Sequence, residues 1–209
     1  MNFRYYKTQN LVITILLLSV PLGIISKLIE LKLKQYPLLD EAYQFIGIFS
    51  TPALIMGFLV LINEYLWKWE INGKKPFSFI VDIPNLNGRY EGVLVSSYNN
   101  KKMLCTMEIK QNASGIKIYS YFSEYETGKY SSTSTSVSED LNIEGNNTVI
   151  LSYNFDNVSE PLLEVGNHYG TARLIYYFYD KKITGRYFNQ KNNSGSIEVI
   201  FKDKNILGR

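Results

Sequence analysis

Two long uncharged apolar stretches fall within the first 63 residues, and they constrain this chain more than any other feature. Nineteen residues without a charge lie between Lys7 and Lys27, including LVITILLLSVPLGIIS. Twenty-two more lie between Glu41 and Glu64, AYQFIGIFSTPALIMGFLVLIN. A hydrocarbon core of ~30 Å is crossed by ~20 helical residues, so each stretch has the length of a span. In lipid the backbone of such a segment is satisfied only as a helix. The sequence therefore predicts two transmembrane helices, over about 9–29 and 42–63, within an N-terminal membrane region 1–75. A signal peptide would need a shorter apolar run and a small-residue cleavage site after it, and Leu28, Ile29, Leu31 and Leu33 follow instead. A buried core helix would normally carry a polar face.

Basic residues set the expected orientation. Arg4 and Lys7 precede the first stretch, and Lys68, Lys74 and Lys75 follow the second. The connecting segment has Lys27, Lys32 and Lys34. The positive-inside rule then places both termini in the cytoplasm of a multi-pass protein. Tyr65, Trp67 and Trp69 suit an aromatic belt at the exit of the second helix. Pro21, Gly23, Pro52 and Gly57 lie within the stretches, where small residues permit close helix approach.

From residue 76 to 209 the pattern changes to period-2 alternation broken by Asn, Gly and Lys turns. GRYEGVLVSS, MLCTMEIK, IKIYSYFSEY, YSSTSTSVS, TVILSYNF, GTARLIYYFY, ITGRYFN and SIEVIF read as eight strands. The fold class is all-β: an eight-stranded up-and-down antiparallel β-barrel behind two transmembrane α-helices, with a sandwich as the alternative. A barrel of that strand number fills its interior with side chains or holds one small ligand. LNGRYEG at 86–92 and ITGRYFN at 183–189 echo each other through Gly-Arg-Tyr, and closure of the first strand on late ones would make them neighbours.

The charges of 76–209 balance at fourteen basic and fourteen acidic residues. A surface for DNA or RNA polymers normally carries a basic excess. The chain has one cysteine, Cys105, and one histidine, His168, which leaves no Cys-rich or His-cluster metal site. Cys105 sits in the apolar context MLCTM of an inert buried thiol, not in that of a nucleophile. The sequence has no P-loop, no G-x-S-x-G and no H-E-x-x-H. An enzyme is not expected, nor a metal or a cofactor.

The stretch HYGTARLIYYFYDKKITGRYFNQKNNSGSIEVIF, residues 168–201, together with LNGRYEG, resembles a known family. It is similar to the CD-NTase-associated transmembrane β-barrel effector of bacterial anti-phage CBASS systems. The resemblance implies a cyclic dinucleotide as ligand and a functionally linked nucleotidyltransferase that makes it. It further implies self-association into oligomers, disruption of the bacterial inner membrane and abortive infection. Lys191 stands where the resemblance leads one to expect an arginine.

A cyclic dinucleotide needs aromatic faces for two bases and donors for two phosphates. On that ground the candidate ligand residues are Tyr90, His168, Thr171, Arg173, Tyr176, Arg186, Tyr187 and Asn189. The arginines are the phosphate donors, the tyrosines the stacking faces, and Asn189 a reader of a base edge. Alternation puts Thr171, Arg173, Ile175 and Tyr177 on one face of a strand, and Ala172, Leu174, Tyr176 and Phe178 on the other. Apolarity favours the Tyr176 face as interior, which conflicts with Arg173 as an interior phosphate donor. The rival reading is a membrane-tethered barrel carrying a lipid, or a scaffold. An apolar lining would favour that carrier, and a lining of Arg, Thr, Asn and Tyr the nucleotide receptor.

Overall fold

The computed structural model describes residues 3–36, 50–144, 148–160 and 166–208. They form two compact units, Met1–Ile83 with Asn112–Ser114, and Pro84–Gln111 with Gly115–Arg209.

The first unit is built on helix α1, Thr8–Leu33, of 26 residues. At 1.5 Å per residue this is about 39 Å, enough to cross a bilayer. Only Leu11 and Ser26 of α1 are buried, while Leu16, Leu17, Val20, Ile24 and Leu28 are each more than half exposed. A core helix of a soluble protein would cover those side chains, and here the unit leaves them to the surroundings. The chain is thus read as membrane-associated through α1, the one helix among the described residues that is long and apolar enough to span. Helix α2, Thr51–Glu64, has 14 residues, about 21 Å. It is the later part of the second expected span, and residues 42–49 of that span lie outside the described residues. Gly23 faces Thr51, so the two helices meet at a small residue.

Beyond α2, a single 3₁₀ turn, Leu66–Lys68, turns Trp67 inward. Trp67 is buried, whereas Tyr65 and Trp69 are exposed, so the expected three-residue aromatic belt reduces to two. Residues 76–83 fold with this unit too: Ile80 and Val81 are buried, and the Lys7 amide donates to the Ile80 carbonyl at 2.8 Å. Asn63 is buried and satisfied: its Oδ1 accepts from the Tyr6 and Ser114 hydroxyls, and its carbonyl from the Ala113 amide.

The second unit begins at Pro84 and is a closed barrel of eight antiparallel strands. These are β1 Gly88–Ser96, β2 Lys102–Gln111, β3 Ile116–Glu124 and β4 Tyr130–Glu144, then β5 Thr148–Ser159, β6 His168–Tyr177, β7 Lys182–Asn189 and β8 Ser194–Asp203. Each strand pairs with the next, and β1 with β8, so the expected up-and-down barrel is what the chain forms. The continuous closure excludes the sandwich. β8 separates β1 from β7, so the two Gly-Arg-Tyr strands flank it instead of pairing with each other.

Alternation sorts the side chains. Met107, Ile109, Ile118, Val149, Leu151, Leu174, Ile183 and Val199 point inward and are nearly inaccessible. Each such side chain contributes ~1.5–3 kcal/mol by leaving water. They fill the half of the barrel nearest the start of β1. That end is closed by Leu86, fully buried, and by two interlocked amides. Gln111 Oε1 accepts from the Leu86 amide at 2.7 Å, and Gln111 Nε2 donates to the Pro84 carbonyl at 2.9 Å. Asn87 Oδ1 accepts from the Gln111 amide at 2.7 Å, and Asn87 Nδ2 donates to the Gln111 carbonyl at 2.8 Å.

Candidate functional site at the polar end of the barrel

The opposite half of the interior is lined differently. Ser132, Ser134 and Ser136 of β4 and Asn157 and Ser159 of β5 are all buried. Period-2 spacing in the hydroxyl-rich β4 points its even-numbered serines inward as far as the irregularity after Ser136. Buried hydroxyls and amides are costly unless paired, and several are: Asn157 Nδ2 donates to Ser132 Oγ at 3.2 Å, and Ser159 Oγ to the Gly166 carbonyl at 3.1 Å. His168 stands opposite Asn157 in the β5–β6 register, with Nδ1 at 3.3 Å from the same carbonyl. Lys191 Nζ donates to that carbonyl at 3.2 Å. The Gly166 carbonyl thus gathers a serine, a histidine and a lysine at the rim.

Burial holds the His168 pKa below its ordinary 6.5; the Gly166 carbonyl opposes that shift and the Lys191 charge adds to it. A proton titration followed by NMR should therefore place His168 below 6.5. The unfolded chain then binds the proton first as pH falls, so stability from this group is full above about 6.5 and declines as pH drops below it. A His168 titration at or above 6.5 in the free protein would contradict this geometry.

Next to this lip is an open cavity of about 480 Å³ on the flank of the barrel. Tyr169, Gly170, Thr171, Phe188, Asn189 and Gln190 line it, with Asn154 and Asp156 across from them. Gly170 faces Asn189 and Thr171 faces Phe188 in the β6–β7 register. A Cβ at Gly170 would lie 2.2 Å from the Phe188 carbonyl oxygen and 2.7 Å from Phe155 Cζ, so only glycine lets the two strands meet this closely. The Tyr169 and Phe188 rings are 62% and 56% exposed. Two residues further along the same outer face, Arg173 and Arg186 are directly opposite each other. Arg173 is 3.8 Å from Glu144, a distant and solvated pair.

The eight residues singled out in the sequence are thus divided. His168, Tyr187 and Asn189 come together at the polar end on the inner side, and Tyr187 packs against Phe155 with ring centroids 6.5 Å apart. Burial raises the Tyr187 pKa, and a hydrogen bond with the Ser96 side chain opposes it. The Asn189 carboxamide oxygen accepts from the Lys191 and Asn193 amides. Thr171, Arg173 and Arg186 lie on the outer face, consistent with the Tyr176 face being interior. Tyr90 and Tyr176 point inward at the other end. There Tyr90 donates to the Leu86 carbonyl at 3.0 Å and packs edge-on to Phe201. Sequence reasoning passed over Tyr169 and Phe188, and over the inner serines of β4.

Residues 81–200 match the family model of Cap15, cyclic dinucleotide receptor domain. The chain belongs to this family. No curated protein and no solved structure matches it significantly. The match extends over the barrel from just before β1 into β8, and it bears out the resemblance to the CBASS effector. The ligand class of a Cap15 receptor domain is a cyclic dinucleotide, and the domain is a sensor, not known as a catalytic one. Among the described residues no cluster of His, Cys, Asp and Glu has the makings of a metal site. Cys105 is buried, and burial pushes its thiol up to about 12, which makes it a poor nucleophile.

Proposed function

We propose that this chain is a membrane-anchored effector of CBASS immunity that receives a cyclic dinucleotide at the His168–Asn189 end of its barrel. The observation that carries this reading is the polar wall that β4 and β5 supply at this end, Ser132, Ser134, Ser136, Asn157 and Ser159, beside the buried rings of Phe122, Phe155 and Tyr187. A lipid-carrying barrel would need an apolar wall there and a void in the tightly packed opposite half. In this reading the exposed Tyr169 and Phe188 rings offer stacking faces, and Thr171 and the Asn189 amide offer hydrogen bonds. Arg173 and Arg186, opposed across two strands, gain from an anion between them, since like charges placed directly opposite destabilise a sheet. A linked nucleotidyltransferase supplies the ligand on infection. Binding drives self-association of the full-length chain, and the assembled spans break the inner membrane, with both termini and the barrel in the cytoplasm.

Calorimetry of the full-length protein in detergent, against a panel of cyclic di- and trinucleotides and a fatty acid, tests the ligand. A cyclic dinucleotide is expected to bind at micromolar concentration or below, and binding of the fatty acid alone would reject the reading. Arg173→Ala and Arg186→Ala are each expected to weaken binding by about tenfold, the loss of one charge-assisted hydrogen bond of ~1.5 kcal/mol. If both leave affinity unchanged, the phosphates are held elsewhere. Ligand-induced growth in particle size and dye release from proteoliposomes report the two later steps separately.

A further inference from the structure

The turn between β6 and β7 has no part in the polar end, and it projects aromatic side chains into solvent. Tyr177 and Phe178 are 44% and 47% exposed, and Tyr179 is fully exposed. Three adjacent aromatic residues at a strand tip are a costly surface for a protein that meets only water. The turn is nonetheless held firmly. Phe178 packs edge-on to Tyr176 with centroids 5.1 Å apart, and the Lys181 carbonyl accepts from the Phe201 amide at 2.9 Å. The Lys181 ammonium lies over the Phe201 ring at 5.4 Å, and that of Lys182 over the Tyr177 ring at 5.8 Å. Exposure here is therefore built in by the packing beneath it.

Position and charge indicate what the turn meets. In an up-and-down barrel the β6–β7 turn lies at the end where β1 starts. The chain enters that end through Pro84–Asn87, following the segment that carries the apolar helix α1. Lys202 and Lys204 are exposed where β8 finishes at this same end. The acidic groups at this end include Asp180 in the turn, Glu144 where β4 finishes, Glu198 at 3.8 Å from Lys182, and Asp203, whose Oδ1 caps the Asn205 amide. Amphipathic aromatic rings partition to the headgroup region of a bilayer, and lysines beside them meet anionic lipid.

We propose that the β6–β7 turn is a membrane-contact finger, with Phe178 and Tyr179 seated in the headgroup layer and the lysines facing anionic lipid. The inference rests on the reading of α1 as a bilayer span.

The test uses the full-length chain in nanodiscs containing anionic lipid. Tyr179→Cys is labelled with an environment-sensitive fluorophore, and Tyr98→Cys, in the exposed β1–β2 turn of the opposite end, serves as control. The buried Cys105 leaves the introduced thiol as the labelling site. Spin-labelled headgroups are expected to cause loss of emission at 179 and none at 98, with a blue shift at 179. Equal emission at the two positions, in particles that co-elute with lipid, overturns the finger and leaves the α1 anchor standing. Failure to co-elute with lipid overturns both. Emission at 179 that ignores the spin label but falls as labelled copies per disc increase assigns the turn to contact with a second copy, and also overturns the proposal.

Discussion

Gly92→Val is expected to prevent the barrel from closing. Gly92 pairs with Val199 across the β1–β8 seam. A Cβ there would lie 2.0 Å from the Glu198 carbonyl oxygen and 2.8 Å from Val199 Cα. Both obstructing atoms are backbone, so no side chain is able to swing aside, and the strands themselves must part. Overpacking typically costs ~1–3 kcal/mol and occasionally more, and at a seam of main-chain hydrogen bonds we expect the upper end of that range or beyond. Against a typical stability of ~5–15 kcal/mol this is a large fraction. Chemical unfolding of the detergent-solubilised protein should show a sharply lowered midpoint or no cooperative transition. Gly115→Ala, where no atom lies within 4 Å of the added carbon, should stay within about 0.5 kcal/mol of the parent. A Gly92→Val protein that unfolds at the parent's midpoint would show that the seam is not tight at this position.

The second large effect concerns recognition. Tyr169→Ala and Phe188→Ala are each expected to weaken cyclic dinucleotide binding by about 5- to 150-fold, the equivalent of ~1–3 kcal/mol per stacked base. Both rings are more than half exposed, so their loss should leave the unfolding midpoint nearly unchanged. That separation of affinity from stability is the diagnostic result. If neither substitution alters the affinity, the bases do not stack on the flank cavity, and the inner ring around Tyr187 and Asn157 becomes the place to look.

Much of this molecule was legible in the amino-acid order because strands announce themselves locally. Alternation in GRYEGVLVSS or TVILSYNF needs no partner to be recognised, and Asn-Gly-Lys turns mark the ends. The first span was equally plain in composition. Apolarity of Ala172, Leu174 and Tyr176 favoured one face of β6 as interior but left it in conflict with an interior Arg173; the register settles it, since burying the opposed Arg173 and Arg186 would leave two like charges desolvated. Depth along the barrel was not legible. Tyr90 and Tyr187 share the same Gly-Arg-Tyr, yet one is the third residue of its strand and the other the sixth, so they reach opposite ends. The flank cavity was hidden for a related reason: Tyr169 and Phe188 become neighbours only through the β6–β7 register. That register depends on a glycine at 170 where any side chain would collide.

The seam between β1 and β8 also dictates an order of events during synthesis. Every other pairing joins neighbours in sequence, and this one spans nearly the whole domain. At ~5–20 residues per second, roughly 5–20 s separate the emergence of Ser96 from that of its partner Gly195. Through that interval the nascent sheet has two open edges, the geometry that invites pairing with other chains, while α1 has long been available to the membrane. The last strand acts as a latch, and a ribosome that stalls before Ser194 leaves an unlatched sheet tethered to the bilayer.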